Sequence, residues 1–373
     1  MRVLVAQSGG PTAVINASLS GVIRGAKSLK FEIYGGLYGI EGILQSKIIP
    51  IEMDDKMLEI LDKTPGAYLG SCRYNLPDPP HEVYDKLFEI FESNKIDAFL
   101  YIGGNDSMQT VWKIYKEIER RKSHVKVGGI PKTVDNDLVG TDHCPGFPSA
   151  AKFLNVVASE FVIDSNVYSK PSICVIETMG RDSGWLASSL KLSEKIVKGL
   201  KVITYIPERP VSERLILDEV YDLKDNPLLV SVSEGIKDKD GQYFYTTGSK
   251  DAFGNVKLGG SGERVAGIIE KIGKVKFINP SFLQRSASHI VSSIDVKEAI
   301  MVGFDGVKAL QFHNGFFVSI ERIDNDRYKS QTKIIPIEEV AGKIKTIPLD
   351  FDDEMVKSYV EPLIDELPTY AWR

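Results

Sequence analysis

The chain has 373 residues, room for two or three ordinary domains or two α/β halves, and 43% hydrophobic with 26% charged residues is the balance of a soluble globular protein. A formal net charge of −5 without a basic tract speaks against nucleic acid as the main partner, because a phosphate backbone demands clustered Lys and Arg. No run approaches the ~20 apolar residues of a membrane span, the apolar run 3–6 is too short for a secretory leader, and Cys72, Cys144 and Cys174 form neither a CxxC pair nor a disulfide framework, so a cytoplasmic setting without a membrane partner is expected.

In chain order, the apolar run 2–6 predicts a strand that passes through Gly9-Gly10-Pro11-Thr12 into a helical pattern over 13–27. Glycines let backbone N–H groups approach an anion, and a helix N-terminus adds a favourable dipole; a plain strand-to-helix turn uses the same residues. GxGxxG is absent here and GxxxxGK[ST] is absent throughout, so neither the usual dinucleotide fold nor a P-loop is supported. A strand over 31–34 follows, and Gly70-Ser71-Cys72-Arg73 then puts an arginine in a short turn ahead of a helix over 81–94. Strand 97–102 ends in Gly103-Gly104-Asn105-Asp106-Ser107, a second glycine turn that carries a carboxylate and also suits an Asp/Ser helix cap for 107–121.

Strand 125–130 leads into Pro131-Lys132-Thr133-Val134-Asp135-Asn136-Asp137. Two carboxylates at i and i+2, a lysine and a hydroxyl offer a base for a hydroxyl proton and a cation for a transferring phosphoryl group. A solvated turn is the bland alternative, since Asp, Asn and Pro are turn formers. Beyond it come a helix over 149–162, a strand over 172–177 ending in Thr178-Met179-Gly180-Arg181-Asp182-Ser183-Gly184, a strand over 201–206, a helix over 212–223, and a strand over 228–232 ending in Ser233-Glu234-Gly235. Gly241, Gly248, Gly254, Gly259 and Gly260 mark 238–260 as a loop or hairpin. The stretch 261–310, containing Phe282-Leu283-Gln284-Arg285, reads as helix, strand, helix returning to the first half.

This alternation predicts right-handed crossovers and at least two mostly parallel sheets, divided near 137–149. Ligand-binding residues belong just past the carboxyl ends of the strands, where these motifs lie. Arginines in short turns after strands suit bidentate phosphate contacts. The five histidines show no HxxxH spacing for zinc, and no GxSxG elbow is present.

Taken in order, Gly9-Gly10 with Asn16, Gly70–Arg73, Gly103–Ser107, Pro131–Asp137, Gly140-Thr141-Asp142, Met179-Gly180-Arg181, Glu234-Gly235 and Gln284-Arg285 resemble the phosphofructokinase family over roughly residues 1–310. The resemblance implies two similar Rossmann-like three-layer α/β halves with mostly parallel sheets and the active site in the cleft between them. Residues 1–140 with about 261–310 would bind the phosphoryl donor, and 141–260 with about 311–373 the sugar phosphate. It further implies a homodimer or homotetramer that shares residues across the sugar-phosphate site.

Carried over by motif, Asp135 is the base that deprotonates the 1-hydroxyl of fructose 6-phosphate, Asp137 helps with charge or metal, and Thr133 touches the sugar or the transferring phosphate. Met179, Gly180, Arg181, Glu234 and Arg285 match sugar-phosphate contacts; Gly10 and Arg73, with Ser107, match donor contacts. Lys276 and Ser172 align with positions that are commonly arginines reaching a neighbouring subunit's 6-phosphate, and Phe282 with a histidine. Lys276 keeps the charge without the guanidinium fork; Ser172 keeps neither, and Lys170 lies nearby.

ATP-using members typically carry Gly-Gly-Asp-Gly where this chain has Gly103-Gly104-Asn105-Asp106. A carboxylate at Asp106 would repel a nucleotide α-phosphate, and Lys132, in place of a glycine, would hold pyrophosphate. The implied reaction is therefore reversible phosphoryl transfer from pyrophosphate to fructose 6-phosphate, in glycolysis or gluconeogenesis. An ATP-dependent enzyme of the same fold is the alternative, and a non-catalytic regulatory subunit the remote one. Mg²⁺ is the implied cofactor, with Asn105 standing where the family usually has a magnesium-binding aspartate and Asp106 sharing its role.

Overall fold

The computed structural model of the chain describes residues 1–246, 248, 258–325 and 327–372. Its strands are β1 (Arg2–Gln7), β2 (Glu32–Gly36), β3 (Ile48–Pro50), β4 (Ala98–Gly103), β5 (Lys126–Pro131), β6 (Ile173–Thr178), β7 (Lys201–Tyr205), β8 (Leu228–Ser233), β9 (Val275–Ile278), β10 (Phe316–Asp324) and β11 (Lys329–Pro336). Every residue of β4, β6 and β8 is buried. That explains their continuous apolar runs: a parallel sheet is covered by helices on both faces, so neither face is left polar.

The chain forms two compact units, Met1–Thr133 with Asp137–Gly146 and Ser293–Ile344, and Val134–Asn136 with Phe147–Ser292 and Lys345–Arg373. The first unit holds a sheet of order β11-β10-β5-β4-β1-β2-β3, parallel except for the outer pairs β2–β3 and β10–β11. The second holds an all-parallel sheet of order β7-β8-β6-β9.

These boundaries differ from the expected ones. Of the segment 261–310, Ser293–Ala309 lies in the first unit, but 261–292 lies in the second. Residues 311–344 lie in the first unit and 141–146 remain with it. Strand pairing is the reason, since β9 pairs with β6 while β10 pairs with β5. Local alternation announces a strand without saying which sheet it joins.

Helix Ser293–Ala309 is drawn to the first unit by close packing on helix Ile15–Leu29. A Cβ on Gly21 would lie 2.1 Å from the Ile300 carbonyl oxygen, and one on Gly303 2.1 Å from that of Ser18. Only glycine permits backbones so near.

In the expected loop or hairpin, Asp238 N–H bonds Gln242 O at 2.9 Å around Gly241 at φ +73°, a short hairpin. Gly254 lies outside the described residues. Among the described residues no helix is long and apolar enough to cross a membrane.

Candidate active site

In the first unit β1 lies between β2 and β4, so the order of connection reverses between β1 and β4, the place where open α/β sheets bind ligands. The register pairs Gln7 with Ile102 and Gly103 with Pro131, so the turns after β1, β4 and β5 leave the sheet side by side. Gly9 stands at φ +74°. Its N–H bonds Cys72 O at 3.2 Å and its carbonyl accepts from Ser71 Oγ at 2.6 Å, which lays the segment ending in Arg73 against the glycine turn.

Two buried amides brace that segment from below. Gln7 Oε1 accepts from Leu69 N at 2.9 Å, and Asn16 Oδ1 accepts from Gln7 Nε2 at 3.0 Å and Tyr68 N at 2.9 Å. Lys132 is 3% exposed, and its Nζ donates to Gly10 O at 2.9 Å. A Cβ at Gly9 would lie 3.2 Å from that Nζ, so the ammonium sits directly at the glycine turn.

Helix Asn105–Arg121 starts from Gly104 without a side-chain cap, so the Asp/Ser cap reading is set aside. Asp106 is exposed in the first turn, where the helix dipole favours an anion, and Ser107 is buried. Asn105 Nδ2 donates to Asp137 Oδ2 at 2.7 Å and to Asp137 O at 3.2 Å. That leaves Asn105 Oδ1 and Asp137 Oδ1 buried with no hydrogen-bond partner. Burial raises the Asp137 pKa, against the opposing hydrogen bonds of Asn105 and Thr133 and the charge of Lys132.

Two sealed acceptor oxygens on a hydrogen-bonded pair are costly unless a cation satisfies them, and hard oxygen donors suit a divalent cation. From the sequence, Asn105 and Asp106 are expected to hold metal, with Asp137 helping with charge or metal; in the structure Asn105 is hydrogen-bonded to Asp137.

In the second unit the loop after β6 is held at every step. Met179 N bonds Gln284 Oε1 at 2.9 Å, Ser233 Oγ bonds Gly180 O at 2.5 Å, and Lys237 Nζ meets Asp182 Oδ1 at 2.7 Å. Ser183 Oγ donates to Asp135 O at 2.7 Å, and Gly184 N to Glu208 Oε1 at 3.0 Å. This fixes half-buried Asp135 to the loop that presents Arg181.

Glu234, just past β8, bonds Thr178 O through its own N–H at 2.9 Å. Burial raises its carboxyl pKa to about 7 and the charge of Glu177 adds to this, while Arg181, a bond from the Gly180 backbone and Arg285 oppose it. The Arg285 guanidinium carbon lies 4.7 Å from the centre of the Phe282 ring.

The second unit thus gathers Gly180, Arg181, Glu234 and Arg285, with Asp135 tied to their loop. The first gathers Gly10, Lys132, Asn105 and Asp137, with Arg73 exposed beside Cys72. Lys276 engages Asp164 at 3.6 Å, Phe282 meets the cluster through Arg285, and Ser172 is buried with its hydroxyl unpartnered. Sequence reasoning passed over Gln7, Glu177, Glu208 and Lys237. Gln7 and Glu177 left a signal: each is a polar residue at or near the end of an otherwise apolar strand.

The profile described as phosphofructokinase matches residues 2–310. A pyrophosphate–fructose 6-phosphate 1-phosphotransferase of Methylococcus capsulatus is 36% identical, covering 98% of this chain and 92% of its own. A sulfofructose kinase of Alkalicoccus urumqiensis is 33% identical, over 99% of this chain and 97% of its own. The crystal structure of a pyrophosphate-dependent phosphofructokinase from Nitrosospira multiformis superposes with a TM-score of 0.86 at 32% identity, covering all of this chain and 94% of the other.

Proposed function

The chain belongs to the phosphofructokinase family, and on that footing we propose that it transfers a phosphoryl group reversibly from pyrophosphate to the 1-hydroxyl of fructose 6-phosphate, releasing phosphate and fructose 1,6-bisphosphate. The observation that carries the donor assignment is exposed Asp106 on the first turn of the helix after Gly103-Gly104, and the buried Lys132 ammonium on the Gly10 carbonyl supports it with a fixed positive charge at a glycine turn of the first unit. Pyrophosphate concentrates charge where a nucleotide spreads it along a chain, so a buried point cation suits it.

In this reading Gly10, Arg73 and Ser107 bind the donor, and Asp106 excludes a nucleotide. Asp135 takes the proton of the 1-hydroxyl, with its backbone held by Ser183. Lys132 offsets charge on the transferring phosphoryl group, Asp137 helps with charge or metal, Thr133 touches the sugar or the transferring phosphate, and Met179, Gly180, Arg181, Glu234 and Arg285 hold the sugar phosphate. Phosphoryl transfer asks for positioning and charge more than for covalent chemistry, and these residues supply both.

The unpartnered Asn105 Oδ1 and Asp137 Oδ1 fit Mg²⁺, which takes few protein oxygens and completes its shell with water and phosphate. When bound there, it would neutralise pyrophosphate oxygens. Exposed Tyr168, whose ring centre lies 5.9 Å from Lys276 Nζ, and exposed Phe282 and Leu283 support a homodimer or homotetramer that shares the sugar-phosphate site. The reaction assigns the protein to the cytoplasm. Sulfofructose is the second acceptor in view of the sulfofructose kinase relative; the 36% identical relative favours fructose 6-phosphate.

Replacing the base tests the mechanism. Asp135→Asn is expected to lower turnover about 10²–10⁴-fold while calorimetric binding of fructose 6-phosphate stays within a few-fold. Near-normal turnover would remove Asp135 from that role.

A further inference from the structure

Glu177 is the penultimate residue of β6 and is only 2% exposed. Its carboxylate is gripped from two directions within the second unit. Oε2 accepts from Gly262 N at 2.7 Å and Gly260 N at 3.0 Å; Oε1 accepts from Gly260 N at 3.0 Å and Asn279 Nδ2 at 3.2 Å. Gly260 and Gly262 flank the first residue of helix Ser261–Ile269, and Asn279 follows β9. Ser261 Oγ in turn donates to Glu234 O at 2.9 Å. One buried anion therefore joins a strand end, a helix start and the stretch leading to Arg285. The proposed reaction gives it no task.

Its neighbour is Glu234. Strands β6 and β8 pair in parallel with Thr178 opposite Ser233, so the two carboxylates leave adjacent strand ends. Arg181 from the loop after β6 and Arg285 from helix Leu283–Ser286 face Glu234, and Glu263 from helix Ser261–Ile269 faces Glu177. Two buried carboxylates this near disfavour double ionisation. Hydrogen bonding tips the proton to Glu234: Glu177 has two backbone donors and an amide holding its charged form, and Glu234 a single backbone bond from Gly180.

We propose that Glu177 is a positioning residue for the acceptor: it fixes the start of helix Ser261–Ile269 and lays a permanent negative charge beside Glu234, so that Glu234 meets the sugar phosphate as a neutral acid. The acid donates a hydrogen bond to a sugar oxygen and adds no second anion near the sugar's phosphate. This rests on the reading of Glu234 as an acceptor-binding group. Burial raises the Glu177 pKa, against the bonds from Gly260, Gly262 and Asn279, and takes that of Glu234 to about 7, in keeping with a proton held on Glu234.

The test is a carboxyl ¹³C titration of protein labelled at glutamate Cδ, run beside the pH profile of KM for fructose 6-phosphate. The Glu234 and Glu177 signals are identified by their loss in Glu234→Gln and Glu177→Gln. In the native protein Glu234 is expected to titrate near pH 7 while Glu177 stays ionised between pH 6 and 8. In Glu177→Gln the Glu234 midpoint falls by about one unit or more, and the inflection in KM moves with it. The sugar's own phosphate, which titrates near ~6, is common to both proteins and cancels in the comparison.

An unmoved Glu234 midpoint in Glu177→Gln overturns the proposal. If that variant does not fold, the Glu177 signal is taken as the one no other assignment accounts for, and a native protein with Glu234 ionised throughout pH 6–8 overturns the proposal equally. A Glu234→Gln variant with unchanged KM at every pH would instead overturn the acceptor role of Glu234.

Discussion

In the proposed reading, Asp106 concentrates the choice of donor into one side chain. It stands exposed on the first turn of helix Asn105–Arg121, directly after the Gly103-Gly104 turn. Because it is exposed, its repulsion of an α-phosphate at ~4 Å lies between the aqueous and near-surface values, about 1–4 kcal/mol. That corresponds to roughly 10–10³-fold discrimination against ATP. Asp106→Gly is therefore expected to lower kcat/KM with pyrophosphate and to bring in measurable turnover with ATP, read by coupled assay with each donor. A variant as inactive with ATP as the parent would mean that other residues exclude the nucleotide.

At this scale the sequence offers candidate residues for the chemistry but not how they pair. Asn105 and Asp137 are 32 positions apart, and only the parallel register of β4 and β5 brings them to 2.7 Å.

Elements are tied together by charges as well as by apolar faces. His143, fully buried, bonds Asp142 Oδ2 at 2.8 Å and Glu298 Oε2 at 2.6 Å. Glu298, on helix Ser293–Ala309, also accepts from Tyr328 OH at 2.5 Å and from Ser330 Oγ on β11 at 2.6 Å, and Arg322 on β10 bonds Asp142 at 3.0 Å. Burial alone would lower the His143 pKa, but the charges and hydrogen bonds of Glu298 and Asp142 outweigh it and lift it to about 9.

A histidine pKa raised on folding gives stability that is complete below its unfolded value near 6.5 and disappears as pH rises through about 9. His143→Gln should thus lower the melting temperature clearly at pH 6, with the gap from the parent shrinking between pH 6.5 and 9.5. A gap that does not change over that range would show that His143 is neutral in the folded state.

Most elements were legible because apolar runs reveal buried parallel strands. The antiparallel strand β11 was not: KSQTKIIP alternates between exposed and half-buried positions, the pattern of a sheet edge, and offers no apolar run to find. β3, with three residues, is too short to leave a pattern.

At the scale of the whole molecule, the order of motifs along the chain revealed the family, while the partition into units depended on pairings that only the folded chain displays. Segment 131–137 shows why a linear boundary could not serve: Lys132, Thr133 and Asp137 belong to the first unit, and Val134–Asn136 to the second. In the proposed reading, one short stretch supplies both the donor's cation, Lys132, and the acceptor's base, Asp135.

The most direct measurement is ³¹P NMR of the purified chain with fructose 6-phosphate and Mg²⁺, given pyrophosphate in one sample and ATP in another. The expected result is equimolar phosphate and fructose 1,6-bisphosphate from pyrophosphate, the reverse reaction when these products are supplied, and at least tenfold slower turnover with ATP. Faster turnover with ATP, or no phosphorylated product with pyrophosphate, would contradict it.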